Sequence, residues 1–157
     1  MKQAYYEFEF GTLCITTDGD FVTRLDCVSG PQAPGERTAA SDAAFCELQQ
    51  YLAGTRRQFT FAHRAQGTEF QKKVWQALTE IPYGQTRTYG QIAAAIGNPK
   101  ASRAVGMANN KNPLMIVVPC HRVIGAGGSL VGYAGGLAMK RRLLQIEGCE
   151  VNSENRR

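Results

Sequence analysis

Cys120 stands directly before His121, one of only two histidines in the chain, in the run Pro119-Cys120-His121-Arg122-Val123. A thiol with an ordinary pKa of about 8.5 is only a few per cent ionised at neutral pH, so a cysteine that attacks carbon needs a base beside it. A cysteine and a histidine together supply both parts, and a nearby carboxylate completes a Cys-His-acid arrangement by orienting the imidazole. Glu147 lies on the last turn of a predicted helix, where the macrodipole disfavours an anion and a partner or role has to offset that cost. A bland reading stands beside this one. A cysteine that closes an apolar run is often a small, inert hydrophobe, and a helix-terminal glutamate is commonly a surface residue.

The elements that must hold these side chains follow from the flanking pattern. Leu114-Met115-Ile116-Val117-Val118, bracketed by Pro113 and Pro119, predicts a short buried strand that ends at the proline and carries Cys120 at its rim. Upstream, Thr68-Glu69-Phe70-Gln71 is a capping box followed by an apolar face of Phe70, Val74, Ala77, Leu78 and Ile81, which predicts a helix closed at Pro82-Tyr83-Gly84. A second capping box, Thr88-Tyr89-Gly90-Gln91, begins a short helix stopped by Gly97-Asn98-Pro99, and a third helix runs from Lys100 to about Asn109. Two short helices across a tight turn describe a helix-turn-helix. In the third helix Ala101, Ala104, Val105 and Ala108 are expected inward, leaving Ser102, Arg103, Gly106 and Asn109 towards solvent. That face suits close approach to a nucleic-acid backbone with Arg103 as a probe, or alternatively an ordinary helix contact inside the protein. The stretch from Gly125 to Gly136 holds six glycines without a phosphate-binding pattern, and reads as a loop beside a pocket. Leu137 to Glu147 forms a last helix, ended by Gly148.

The preceding residues are organised differently. Residues 4–28 alternate in strand fashion around the turn dipeptide Asp18-Gly19, predicting a hairpin or small sheet. Ser41 to Leu52 reads as a helix, Gln58 to Ala62 as one further strand, and 151–157 as a flexible tail. The expected domains are residues 1–66 and 67–150. Residues 1–66 carry 6 Lys/Arg against 8 Asp/Glu, whereas residues 67–157 carry 12 against 5. A net +5 concentrated in the cysteine-bearing part favours a polyanionic partner. Five scattered cysteines without CxxC spacing argue against a disulfide framework and for a reducing, cytoplasmic setting. Cys14, Cys27, Cys46 and His63 lack the close spacing of a zinc site, so no metal is expected.

The motifs Gly97-Asn98-Pro99-Lys100, Asn112-Pro113, Pro119-Cys120-His121-Arg122-Val123, Tyr133-Ala134-Gly135-Gly136-Leu137 and Glu147-Gly148 together resemble the O6-alkylguanine-DNA alkyltransferase family over residues 68–148. The resemblance implies an α+β protein: a small N-terminal strand-and-helix domain, RNase H-like, then a mainly helical domain with a winged helix-turn-helix-like unit. It implies transfer of an alkyl group from guanine O6 in double-stranded DNA to Cys120, once per molecule, without cofactor. O4-alkylthymine stays open as a second substrate.

By the same resemblance His121 takes the thiol proton through a bound water, Glu147 supports His121, and Asn112 holds the turn before the cysteine. Tyr89 turns the target phosphate and assists proton delivery to the departing guanine. Arg103 fills the gap left by the extruded base, with Ser102, Lys100 and Gly106 also at the DNA. Tyr133, Ala134, Gly135, Val123 and Lys140 form the guanine pocket. A monomer is implied, nucleoid-associated when bound, with cooperativity on DNA open. A lesion-binding module that transfers nothing and a turning-over cysteine hydrolase are the competing readings. Relatives that do not transfer replace the cysteine, which this chain keeps, and a hydrolase leaves the basic half and the helix pair unexplained.

Overall fold

In a computed structural model, residues 1–30, 32–133 and 135–149 are described. The chain divides into two compact units, 1–66 and 67–157. Among the described residues no helix is long and apolar enough to cross a membrane.

The first unit is a three-stranded antiparallel meander, β1 (Lys2–Phe8), β2 (Gly11–Asp18) and β3 (Phe21–Val28), packed on α1 (Ala39–Leu52). Asp18-Gly19 makes a turn, and with a second reversal at Glu9-Phe10 the small sheet, the larger of the two expected forms, results. Ala4, Tyr6, Leu13, Ile15, Val22 and Leu25 of the sheet meet Ala44, Leu48 and Tyr51 of α1 in the core. The Thr38 side chain and Ser41 cap one another at the start of α1. Gln58–Ala62 is not a strand. The Thr60 N–H donates to Glu47 Oε1 on α1 at 2.7 Å, so the donor a ladder would need is already used. Pairing with β3 is confined to one parallel bridge, Val22 with His63.

The second unit carries α2 (Glu69–Thr79), β4 (Arg87–Thr88), α3 (Tyr89–Ala95), α4 (Ser102–Asn110), a 3-10 turn (Cys120–Arg122), β5 (Val123–Ile124), another 3-10 turn (Ala126–Gly128) and α5 (Leu137–Ile146). Both expected capping boxes form: Thr68 with Gln71 and Thr88 with Gln91, each giving two reciprocal bonds. Each threonine cap is worth about 1 kcal/mol to its helix. Helices α2, α3 and α4 pack mutually, with Trp75 Nε1 of α2 donating to the Ala108 carbonyl of α4 at 2.9 Å. On α4 two expected orientations reverse: Asn109 is buried and Ala104 is exposed. A helix contact at Ala108 places the adjacent position 109 inside as well, and its amide finds a partner there.

The run from Leu114 to Val118 is also not a strand. It is buried as expected, but it folds back on itself: Val118 N–H donates to the Leu114 carbonyl at 2.9 Å and Ile116 sits at φ 72°. Left-handed backbone is rare for a β-branched residue and costs roughly 1–3 kcal/mol. Asn112 stabilises it from both ends, accepting from Leu114 N at 2.9 Å and donating to the Val118 carbonyl at 2.7 Å. A side chain thus satisfies the groups a neighbouring strand would have taken. Cys120 consequently opens a 3-10 turn, and the true strand, β5, follows it, pairing in parallel with β4.

Candidate active site

The turn at Cys120–Arg122 points three consecutive side chains into the interior, and all three are buried. Cys120 is 5% exposed, and burial pushes its thiol pKa up. Asn112, the Lys140 charge and Tyr133 act in the opposite direction, favouring the thiolate. His121 is fully buried, with Nε2 2.7 Å from Glu147 Oε2. A carboxylate only accepts, so Nε2 carries the proton and Nδ1 is the basic nitrogen. Burial holds the His121 pKa down against the pull of Glu147, and the charges of Arg122 and Lys140 lower it further. A neutral imidazole, competent to accept a proton, results.

Glu147 caps the C-terminal end of α5 and is buried, contrary to the cheaper surface reading. Its carboxylate is fully engaged. Arg122 donates from Nε to Oε1 at 2.8 Å and from Nη2 to Oε2 at 2.9 Å, a two-pronged pair, while the Gly84 N–H reaches Oε1 at 3.2 Å. Gly84 has φ 81°, and a Cβ there would lie 3.1 Å from the Glu147 carbonyl, so the approach requires a residue without a side chain. The third arm of Arg122, Nη1, donates to the Ile81 carbonyl at 2.7 Å just beyond α2. These contacts offset the cost of an anion at a helix C-terminus.

Beside the thiol lies a second polar group built from the glycine-rich segment. Lys140, buried on α5, donates from Nζ to the carbonyls of Val131 and Gly132 at 3.0 and 3.2 Å. Burial lowers its pKa to about 8, with Cys120 acting the other way. The Tyr89 hydroxyl, at the start of α3, donates to the same Val131 carbonyl at 3.0 Å. Burial raises the Tyr89 pKa, and Cys120 raises it further. The Tyr133 hydroxyl is buried beside the thiol and lowers its pKa. A Cβ at Gly135 would strike Met139 Sδ at 2.5 Å and the Tyr133 ring at 3.0 Å, so glycine sets how closely this segment lies on α5. Val123 is buried in β5. Ala134 lies outside the described residues, as do Glu150 and the expected tail.

Cys120, His121, Glu147, Asn112, Tyr89, Tyr133 and Lys140 therefore converge. Arg103, Ser102 and Gly106 lie instead on α4 and Lys100 just before it, with Arg103 and Lys100 exposed and Gly106 next to the Tyr89 ring. Among the described residues no three His, Cys, Asp or Glu side chains gather as a metal site.

Residues 69–149 match the family model described as 6-O-methylguanine DNA methyltransferase, DNA binding domain. Over 154 residues the chain is 48% identical to the methylated-DNA–protein-cysteine methyltransferase of Methanosarcina acetivorans, covering 94% of this chain and 99% of that one. The chain belongs to this methyltransferase family. The protein of the same description from Mycobacterium leprae is 46% identical over 146 residues, covering 90% of this chain and 88% of that one. Among solved structures, Mycobacterium tuberculosis OGT in complex with DNA superposes with a TM-score of 0.85 at 43% identity, covering 92% of this chain and 91% of that one. The O6-methylguanine methyltransferase structure of that organism gives 0.84 at 42% identity, covering 94% and 93%.

Sequence reasoning missed Arg122, Gly84 and the Ile81 carbonyl. An arginine inside an otherwise apolar Val-Val-Pro-Cys-His-Arg-Val-Ile stretch was the available signal, because a guanidinium in such a run needs a buried anion. Asn109 was missed too: its Nδ2 faces the Cys120 carbonyl at 3.4 Å.

Proposed function

We propose that Cys120 is the acceptor through which this family member repairs O6-alkylguanine in DNA by direct reversal. The carrying observation is the buried Cys120-His121-Glu147-Arg122 arrangement. Arg122 neutralises Glu147, so the carboxylate orients the imidazole without drawing a permanent proton onto it, and His121 stays a base. His121 takes the Cys120 proton through a bridging water. The thiolate then attacks the alkyl carbon, an S–C bond forms as the C–O6 bond breaks, and the electron pair leaves with guanine.

Tyr89 passes its proton to the departing base and is reprotonated from the imidazolium, so the thiol proton ends on guanine and both side chains return to their neutral forms. The thioether is stable and no group regenerates the thiol, so each molecule acts once. Carbonyls bound by Lys140 and Tyr89 hold the segment carrying Tyr133 and Gly135 as one side of the base pocket. Helix α4 enters the minor groove, where Arg103 occupies the gap left by the flipped nucleotide, offsetting an extrusion cost of a few kcal/mol. Ser102, Gly106 and Lys100 contact the adjoining backbone. Double-stranded DNA is engaged by a monomer.

Incubation with a duplex containing O6-methylguanine, followed by peptide mass analysis, tests this. One added methyl on the peptide holding Cys120, absent in Cys120→Ser, is expected. An unmodified wild-type peptide from folded protein would sink the assignment, and so would methyl on another cysteine.

A further inference from the structure

Arg103, Gly106, Met107 and Asn110 recur along α4 at spacings of three, four and seven residues and so share one stripe. The opposite stripe, Val105, Ala108 and Asn109, is buried. Arg103 and Asn110 are polar and exposed, as their chemistry allows. Met107 is different, an apolar side chain that is 65% exposed. The other large exposed apolar residue among those described in the second unit, Leu137, is only 38% exposed.

We propose that Met107 is a second intruding side chain: one turn beyond Arg103, it enters the minor groove and packs on the base step beside the extruded nucleotide. This rests on the reading of α4 as the groove-entering helix. The occupant is duplex DNA, argued from the match of residues 69–149 to a DNA-binding domain, the basic excess of residues 67–157 and the adjacent Arg103. Apolar wedges, methionine included, are a recurrent means of holding a minor groove open at an unstacked step. An unbranched, polarisable thioether adapts to a step of variable shape and makes good contact with aromatic faces. The division of labour follows from chemistry. Arg103 carries charge and fills the vacated space, whereas Met107 covers the newly exposed face of the neighbouring base without a charge of its own.

Single-turnover rates and salt-dependent binding test the proposal on three substrates: an O6-methylguanine duplex, the same single strand, and free O6-benzylguanine. Met107→Ala and Met107→Gln should slow the duplex reaction about fivefold to tenfold, the scale of a few apolar groups returned to water. Met107→Leu should restore it. Single-strand and free-base rates should stay at the wild-type level. Duplex affinity should fall in Met107→Ala with an unchanged salt slope, while Arg103→Ala flattens the slope by about 0.9 if it also neutralises a phosphate. A wild-type duplex rate in Met107→Ala beside an impaired Arg103→Ala overturns the wedge and leaves the α4 reading standing. If both variants react normally with duplex, the α4 reading fails as well. Full activity in Met107→Gln, or equal losses on duplex and free base, also overturns the wedge, because apolarity or the duplex would then be irrelevant.

Discussion

Arg122 and Glu147 bind one another with no solvent to compensate a lost partner. Removing one member of a buried pair strands the other charge, a penalty of about 3–5 kcal/mol, whereas removing both leaves polar contacts but no orphan ion. Arg122→Met and Glu147→Gln should each lower the urea midpoint sharply, and the double variant should lose clearly less than the sum. Additive losses in equilibrium melts would contradict a coupled pair. Lys140 is the other buried cation among the described residues. Its pKa in the folded chain, about 8, lies below the ordinary 10.5, so between these values the unfolded chain binds more protons and stability rises with pH. Below about pH 8 the full penalty of burying the charge remains. Lys140→Met should therefore lack the rise in stability that wild type shows between about pH 8 and 10.5. The same variant removes a charge that favours the Cys120 thiolate, so its alkyl-transfer profile should move to higher pH. Coincident profiles would exclude that electrostatic role.

At the scale of elements, the segment before Cys120 matters most. Asn112 replaces a neighbouring strand for Leu114 and Val118; the Val118 carbonyl keeps the Cys120 N–H, but the buried Leu114 N–H has Asn112 as its acceptor, and such a group left unpaired costs about 1–3 kcal/mol. Asn112→Ala should thus destabilise the second unit and slow transfer to free base and to DNA alike, in contrast with Arg103→Ala, which should matter chiefly on duplex. Rates on the two substrates decide this. The capped helices were legible because the reciprocal side-chain bonds at Thr68 and Thr88 are local in sequence. The strand expected at Leu114 to Val118 was not, because an apolar β-branched run reports burial rather than direction. The turn at Ile116 depends on an asparagine outside that run. Gln58–Ala62 failed similarly, its backbone donor being taken by Glu47 from a distant helix. Of the site, Cys120, His121, Glu147 and Tyr89 were readable through motif resemblance, but the Arg122 pairing needed the turn that buries three residues in succession.

For the whole molecule, charge is the property that segregates most clearly. The second unit's basic excess means that DNA binding should weaken as salt rises, with a log-log slope of about −0.9 per phosphate neutralised. A flat dependence in binding titrations would separate the charge asymmetry from DNA engagement.

The burial of Cys120 bears also on what the protein ignores. A thiol that is closed off and held above its ordinary pKa presents little thiolate to small oxidants and electrophiles. Cys46 and Cys27 are exposed and so open to such reagents, although burial and Asp26 hold the Cys27 thiol up as well. Brief iodoacetamide treatment should carbamidomethylate those two first and spare Cys120. A reactant that can be spent only once is thereby kept from accidental consumption, and chemical selectivity rests on enclosure as much as on recognition.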